Sequence, residues 1–314
     1  MKPTLKIDFI DFWVHFNKTD NYFYNLLSQE YNLEFSPDPD FIIYSGYGEK
    51  HLNYSCYRIF YNAENLRVNW NACDYAFSSD YVDDDRHYRL PNYILYDKPE
   101  KLMNSKHDPE SILRVKTGFC NMVVSNPHSK KRIAFYHKLN KIKKVDSGGR
   151  HLNNIGGPID NKREFIRKYK FTLAFENSAH PGYTTEKLFE PMLENSIPIY
   201  WGNPEVGRDF NTNSFLNYAD FNSDEALIEK IIELDRNDNQ YLAMLSQPWY
   251  LNNQMPATVN EHNVLRQFRR IFDTASNNRP VAQTPQRYLY RINLLWQKSE
   301  FYLNRVLKYR ENFR

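Results

Sequence analysis

The chain has 314 residues and a mass of 37.7 kDa, a length that favours two domains because one hydrophobic core seldom serves so many residues. Hydrophobic residues make up 41% of the composition and aromatic residues 16%, enough to exclude a disordered chain despite a mean hydropathy of -0.74. Lysine and arginine total 41 against 38 acidic residues. This balance argues against a dedicated nucleic-acid binder, whose basic surface shows in its composition.

The amino-terminal segment carries Asp8 and Asp11 within its apolar stretch, and no uncharged run reaches the ~18 to 20 residues that span a bilayer. With neither a signal peptide nor a membrane anchor recognisable, we expect a cytoplasmic protein. The cysteines Cys56, Cys73 and Cys120 form no C-x-x-C pair and have no histidine at ligand spacing. Neither a disulfide framework nor a zinc site is therefore expected.

Short apolar runs alternate with helical patterns in two successive series. The first series consists of the runs LKIDFI, FIIYSG, CYRIFYNAE and YAFSSD. The second consists of FCNMVVSN, FTLAFENS and SIPIYWGN, which are continuously apolar, as parallel strands covered on both faces are. Helical patterns, SKKRIAFYHKLNKI and TTEKLFEPMLE, separate the strands of the second series. The alternation predicts two α/β domains of the doubly wound, Rossmann-like type.

A charged, loop-like segment from Asp97 to Ser111 lies between the two series and predicts a linker. We therefore expect a first domain over residues 1–98 and a second over residues 99–285. The remaining residues, 286–314, hold seven lysines and arginines against two glutamates, with apolar residues at helical spacing. This pattern predicts a basic amphipathic helix that either packs back on the first domain or contacts a membrane surface or a partner.

The segment from Phe175 to Gly202 combines features of an anion-binding site. A buried strand ends in Glu176 and Asn177, a Pro-Gly turn follows, and Thr184 or Thr185 can cap the next helix. Free N–H groups at a helix start favour an anion, and α/β folds hold phosphate there. Lys187 lies in the first turn, where a cation opposes the helix dipole, so its presence suggests an anionic ligand. The alternative is a solvated lysine beside a capping Glu186.

This segment resembles the donor-binding motif of the α-1,3/1,4-fucosyltransferases, glycosyltransferase family ten, which reads F-E-N-S, then G-Y-x-T-E-K, then I-P-I-Y-W-G. Two further stretches are similar to the same family. SNPHSKKRIAFYHKL, from Ser125, matches its S-N-x5-R-x2-F-Y-x2-L pattern, and YNAENLRVNWNACDYAF, from Tyr61, matches a first-domain stretch that contains Glu-Asn and Asp-Tyr-Ala. The resemblance covers residues 56–221, roughly half of the chain.

The resemblance implies an inverting transfer of L-fucose from GDP-β-L-fucose to a hydroxyl of N-acetylglucosamine in a lactosamine-type glycan. The favoured hydroxyl is O3. It implies a GT-B fold, in which two Rossmann-like domains face each other across a cleft and hold the acceptor and the donor respectively. Glu64 would be the catalytic base, and Arg132 and Lys187 would stabilise the diphosphate. Glu186 would bind the ribose hydroxyls. The other residues placed in the donor pocket are Tyr183, Asn177, Ser125 and Asn126.

Some features stay open at this level. His180, within the donor motif, either lines the cleft or takes part in catalysis. Asp83, Asp84 and Asp85 superficially match the Asp-x-Asp signature that holds Mn²⁺ in other transferases, but a solvated loop explains them as well, and we expect no metal requirement. The carboxylates of Glu186, Glu190 and Glu194 follow one helix face, a pattern typical of exposed stripes. Alternative functions are transfer from another nucleotide sugar and non-catalytic glycan binding.

Overall fold

The computed structural model describes residues 1–62, 64–104 and 108–296. The described residues divide into two compact units. The first contains residues 1–78, 82–88 and 264–296, and the second contains residues 79–81 and 89–263. The chain enters the second unit briefly at residue 79 and for its main span at residue 89, about ten residues before the expected boundary at residue 98. Residues 264–285, expected in the second domain, belong to the first.

The first unit is built on a sheet of six strands in the order β2-β1-β3-β4-β5-β6. The strands are β1 (Thr4–Ile10), β2 (Asn32–Phe35), β3 (Phe41–Tyr44), β4 (Tyr57–Tyr61), β5 (Tyr75–Ser78) and β6 (His87–Arg89). Strands β1 to β5 pair in parallel, in the 2-1-3-4-5 order of a doubly wound fold. Ile42, Ile43 and Ile59 are completely buried at its centre.

Two helices, α1 (Tyr22–Leu27) and α8 (Glu261–Thr274), supply aromatic side chains to the core of this unit. The ring of Phe268 stacks on Phe77 with centroids 4.4 Å apart and meets Phe23 edge-on. Beyond α8, the backbone N–H of Val281 donates to the buried carboxylate of Asp74 at 2.7 Å. The chain after residue 263 therefore belongs to the first unit, since its side chains and backbone make their contacts there.

The second unit contains a sheet of five strands in the order β11-β10-β9-β7-β8, with every paired strand parallel. The strands are β7 (Gly118–Met122), β8 (Val145–Ser147), β9 (Tyr169–Phe175), β10 (Ile197–Trp201) and β11 (Leu216–Asn217). The helices are α2 (Pro109–Arg114), α3 (Lys130–Ile142), α4 (Lys162–Arg167), α5 (Glu186–Leu193), α6 (Asp224–Arg236) and α7 (Asp238–Leu245). Two α/β domains with parallel sheets were predicted, and the structure confirms them.

The predicted carboxyl-terminal helix is observed over residues 286–296, and the rest of that prediction lies outside the described residues. Tyr290 and Leu294 are half-buried, and the Arg291 guanidinium donates to the carbonyl of Leu52 at 2.8 Å. In contrast, Leu295 and Trp296 are about 70% exposed. The helix thus packs on the first unit with one face and leaves apolar side chains on another. Within the described residues, no helix is both long and apolar enough to cross a membrane.

Candidate donor site

The carboxyl end of β9 and the start of α5 meet at the edge of the second sheet. Strand β9 ends at Phe175, and the N–H of the next residue, Glu176, donates to the carbonyl of Trp201 at 2.7 Å, which continues the pairing with β10. Helix α5 begins after Thr185, whose hydroxyl accepts the N–H of Lys187 as an N-cap. The predicted arrangement of strand, loop and capped helix is therefore present.

Glu176 joins these two elements through a completely buried carboxylate. One of its oxygens accepts the backbone N–H of Thr185 at 2.8 Å, and the Thr185 hydroxyl lies 2.8–2.9 Å from both oxygens. Burial raises the pKa of Glu176, and the positive charge of Lys187 opposes that rise. The sequence analysis placed Glu176 at the end of the strand but gave it no role in the site. The available signal was its place directly after a continuously buried strand.

Lys187 is a fixed cation held between two carboxylates. Its Nζ lies 2.9 Å from Glu186 Oε1, 3.2 Å from Thr185 Oγ1 and 3.5 Å from Glu176 Oε2. Burial works against its charge, but Glu176 and Glu186 outweigh burial and raise its pKa. The sequence interpretation considered an external anion or a solvated lysine, and the structure shows a third arrangement in which Glu176 and Glu186 supply the counter-charges.

Arg132, in the first turn of α3, is completely buried and organises the loops around it. One terminal nitrogen donates to the carbonyl of Phe175 at 3.1 Å and to Asn177 Oδ1 at 3.0 Å, and the other donates to the carbonyl of Asn126 at 2.8 Å. Its Nε has no hydrogen-bond partner among the described residues. Three predicted site residues, Asn126, Arg132 and Asn177, therefore meet, while Ser125 lies exposed just ahead of them.

The buried side chain of Asn203 holds the loop that carries Tyr183. The sequence analysis did not identify Asn203. Asn203 accepts the N–H of Gly182 at 2.8 Å and donates to the Thr184 hydroxyl at 3.2 Å. Its own N–H donates to the Tyr200 hydroxyl at 2.9 Å. Tyr183 lies between Gly182 and Thr184 in the sequence and is buried. The signal for Asn203 was its position two residues after the end of a buried strand.

Gly182 is needed at its position for two separate reasons. Its φ of +86° lies in the left-handed region, and a Cβ there would overlap the carbonyl oxygen of Ser79. Gly156 has a φ of +94° but nothing within 4 Å of a Cβ. We expect Gly156→Ala to cost about 1 kcal/mol from backbone strain alone. Gly182→Ala should cost at least ~2 kcal/mol more because the loop must also move.

Thermal unfolding of the two variants checks this expectation. Both replacements strain a positive φ, so the difference between their unfolding midpoints isolates the steric contact with Ser79. Equal midpoints would show that the loop carrying Gly182 moves at no cost.

His180 faces a carboxylate from the segment 79–81. Its Nε2 lies 3.5 Å from Asp80 Oδ1, and the His180 side chain is 36% exposed. The contact places His180 at the edge of the loop that carries Tyr183, which agrees with a lining position.

The carboxylates on α5 do not form the exposed stripe that the sequence suggested. Glu190 pairs with Lys162 of α4, and Glu194, with a side chain only 1% exposed, binds Arg163 at 2.6 Å and Arg167 at 2.7 Å. The expectation was wrong because α4 places three cations along this face. These contacts fix α5, and with it Lys187, against the unit.

Two of the three aspartates in the acidic run of the first unit lie beside arginines. Asp84 binds Arg86 at 2.7 Å, and Asp85 lies 3.4 Å from Arg270. In the part of the chain that the structure describes, no three His, Cys, Asp or Glu side chains are grouped so that they could hold a metal ion.

The cysteines are free, and burial raises the pKa of Cys56 to about 12, which keeps its thiol protonated.

Glu64 belongs to the first unit and follows β4 at the carboxyl edge of that sheet. Its side chain is exposed, and its Oε1 accepts the hydroxyl of Tyr47 at 2.8 Å. The side chain of Asn62 accepts the Glu64 N–H at 3.1 Å. An exposed carboxylate at a strand end, oriented by a tyrosine, has the accessibility that a general base requires.

Comparison with known proteins places these features in a family. Residues 7–96 match the α-(1,3)-fucosyltransferase FucT N-terminal domain, and residues 113–284 match the glycosyltransferase family 10 (fucosyltransferase) carboxyl-terminal domain. The chain is 35% identical to the α-(1,3)-fucosyltransferase FucT of Helicobacter pylori over 77% of its own length, and it spans 60% of that protein.

Two other relatives extend the comparison. Human 4-galactosyl-N-acetylglucosaminide 3-α-L-fucosyltransferase FUT6 is 36% identical over 43% of this chain and 38% of its own. A crystal structure of an α1,3-fucosyltransferase with GDP-fucose has a TM-score of 0.71 and 29% identity, covering 91% of this chain and 92% of that one. Because its amino-terminal and carboxyl-terminal parts match the two domains of one family in order, the chain belongs to glycosyltransferase family 10, the fucosyltransferases.

Proposed function

We propose that this chain transfers L-fucose, with inversion, from GDP-β-L-fucose to a hydroxyl of N-acetylglucosamine in a lactosamine-type glycan, with O3 as the preferred position. Support for the donor comes from the relative solved with GDP-fucose, which matches nearly the whole chain. Support for the acceptor comes from the name of human FUT6. The observation that carries the proposal is the cluster of Glu176, Glu186 and Lys187 at the head of α5, beside the buried Arg132.

The charges at the start of α5 suit a diphosphate that takes the place of Glu186 beside Lys187. Lys187 donates to Glu186 and Thr185 and lies within ion-pair distance of Glu176. A phosphate oxygen can displace Glu186 from Lys187, because the first N–H groups of α5 favour an anion at the same place. Glu186 would then be released to accept hydrogen bonds from the ribose hydroxyls.

Arg132 and the remaining pocket residues complete the proposed donor site. Arg132 would stabilise the diphosphate mainly through its charge, because its guanidinium is buried and binds protein acceptors in this structure. Its direct contact with the donor stays a prediction. Tyr183, Asn177, Ser125 and Asn126 would line the pocket that surrounds the nucleotide sugar.

The reaction needs one base and one stabilised leaving group. Glu64 would take the proton of the acceptor hydroxyl as its oxygen attacks the anomeric carbon of fucose. The bond between that carbon and the β-phosphate oxygen breaks, and GDP leaves with the electron pair. The positive charges of Lys187 and Arg132 would stabilise the diphosphate as this charge develops.

Incubation of the purified chain with GDP-fucose and lactosamine-type disaccharides tests the function. We expect a fucosylated product by mass spectrometry, with linkage analysis giving the position of attachment. Activity should persist in EDTA, because two cationic side chains do the work of a metal, and Mn²⁺ or Mg²⁺ would at most stimulate. In competition, GDP should inhibit more strongly than UDP. Stronger inhibition by UDP would favour another nucleotide sugar, and an inert protein that binds the disaccharide would favour a glycan-binding role.

The basic carboxyl-terminal segment supports a contact with the membrane surface. Residues 286–314 carry seven lysines and arginines, and the described helix exposes Leu289, Ile292, Leu295 and Trp296. Basic amphipathic helices bind anionic lipid surfaces. We propose a peripheral location at the inner face of the membrane, and we expect the chain to sediment with vesicles of phosphatidylglycerol but not with vesicles of phosphatidylcholine. Equal recovery with both would contradict this location.

A further inference from the structure

Exposed apolar side chains gather around Glu64 at the carboxyl edge of the first sheet. Trp13 follows β1, Tyr47 follows β3 and Leu66 follows β4, and these three strands are neighbours in the sheet. The three side chains are 38%, 46% and 42% exposed, respectively. Apolar side chains grouped at one place on a surface mark a binding site more often than scattered ones do.

The two aromatic rings of this group are set directly beside the proposed base. The centroids of Trp13 and Tyr47 are 6.2 Å apart with an interplanar angle of 78°, and the Tyr47 hydroxyl donates to Glu64 at 2.8 Å. Trp13 packs edge-on against Phe12 and Phe16, whose rings stack on each other at 4.0 Å. The rings of Phe12 and Phe16 therefore support the exposed side chain of Trp13.

The loop that carries Tyr47 is anchored to the end of β1. The Tyr47 N–H donates to the carbonyl of Asp11 at 3.1 Å. The Asp11 carboxylate binds both the backbone N–H of His51, at 2.9 Å, and its ring, at 2.7 Å, and both side chains are only 3% exposed. A Cβ on Gly46 would overlap the side chain of Leu66, so the loop also packs closely against the segment after β4. The side chains of Trp13 and Tyr47 are thus preorganised for a ligand.

We propose that Trp13 and Tyr47 form the platform on which the acceptor sugar ring stacks, and that they hold its hydroxyl toward Glu64. One face of a pyranose presents C–H groups, which suit an aromatic ring, while its rim presents hydroxyls, which suit the carboxylate and the phenol. A protein partner would instead leave the carboxylate of Glu64 within an apolar contact. This inference rests on the proposed function, from which it takes the identity of the sugar.

Acceptor kinetics of Trp13→Ala and Tyr47→Ala test the platform. Each variant should raise the KM for the disaccharide about tenfold, because stacking binds the ground state and the transition state alike. Affinity for GDP, measured by calorimetry, should not change and reports that the protein is folded. Tyr47→Phe should keep the low KM but alter the pH profile of kcat, since only the hydrogen bond to Glu64 is lost. Tyr96→Ala, which removes another exposed tyrosine ring, should match the unaltered protein.

Saturation-transfer NMR with N-acetyllactosamine separates failure of the platform from failure of the proposed function. The unaltered protein should transfer magnetisation to the sugar C–H protons, and Trp13→Ala should weaken that signal strongly at the same sugar concentration, whether or not fucose is transferred. Sugar binding and KM values that are unchanged in Trp13→Ala and Tyr47→Ala would overturn the platform. Sugar binding without transfer would leave the platform in place and overturn the enzymatic function instead.

Discussion

Replacement of Glu64 by glutamine is expected to lower kcat by ~10²- to 10⁴-fold, the usual contribution of one general base. The amide keeps the size of the side chain and an oxygen that can accept the Tyr47 hydroxyl, but it cannot take a proton. Because Glu64 is exposed and makes this contact at the surface, the replacement should not disturb the fold. Initial rates with GDP-fucose and acceptor, together with calorimetry of GDP binding, measure the two effects separately.

The matched control for this variant is Glu34→Gln, on the edge strand β2 of the same sheet, where the glutamate is exposed. It makes the same chemical change in the same unit and should leave kcat unaltered. A Glu64→Gln enzyme with the rate of the Glu34→Gln control would remove Glu64 from the role of base. Loss of GDP affinity in Glu64→Gln would point to a structural effect instead.

Replacement of Lys187 by methionine is expected to impair both turnover and stability. Loss of a cation that stabilises the leaving diphosphate should lower kcat/KM by ~10²- to 10³-fold. The same change leaves Glu176, which is completely buried, and Glu186, which is largely buried, without their shared counter-charge. Removing one partner of a buried ion pair costs about 3–5 kcal/mol, or ~10 °C in the unfolding midpoint of a domain of this size.

The pH dependence of this defect has a definite sign. Burial already raises the pKa of Glu176, and Lys187 limits the rise, so the pKa increases further in Lys187→Met. Between the ordinary carboxyl pKa and the raised one, the folded state binds more protons than the unfolded state. The free energy of unfolding therefore falls as the pH rises through that range. Denaturant titrations should show a smaller difference from the unaltered protein near about pH 5 than near about pH 8.

A double-variant cycle attributes the defect to the ion pair. Glu176→Gln keeps an oxygen that can accept from Thr185 but removes the buried charge. Added to Lys187→Met, it should recover part of the lost stability, with a coupling of at least ~1 kcal/mol. Strictly additive losses would show that Glu176 and Lys187 act independently, and a defect unchanged between acid and neutral pH would contradict the pH dependence.

The fold could be predicted where the sequence carries a strong local signal. The buried strands β9 and β10 appear as continuous apolar runs, and Thr185 has the type and position of an N-cap. The edge strands β2 and β8 were not predicted, because each spans only three or four residues and lacks a clear alternation of apolar and polar residues. Local patterns also carry no information about the partners of residues 264–296, because their contacts with Phe23, Phe77 and Asp74 depend on the three-dimensional fold.

The identity of the site residues was more predictable than their environment. The motif located Arg132 and Lys187, but it did not indicate that Arg132 is completely buried or that Lys187 is paired within the chain. Glu176 and Asn203 were overlooked because a glutamate or asparagine beside a strand end resembles any loop residue until its hydrogen bonds are known. Trp13 gave no signal for a similar reason, since only the sheet order brings it close to Tyr47 and Glu64.

A crystal structure of this chain with GDP tests the central claim most directly. The account predicts that a phosphate oxygen lies within hydrogen-bond distance of Lys187 Nζ at the head of α5, with Glu186 turned away from Lys187 toward the ribose. Nucleotide bound at another place on the second unit, or bound while Lys187 keeps both carboxylates and touches no phosphate, would contradict it.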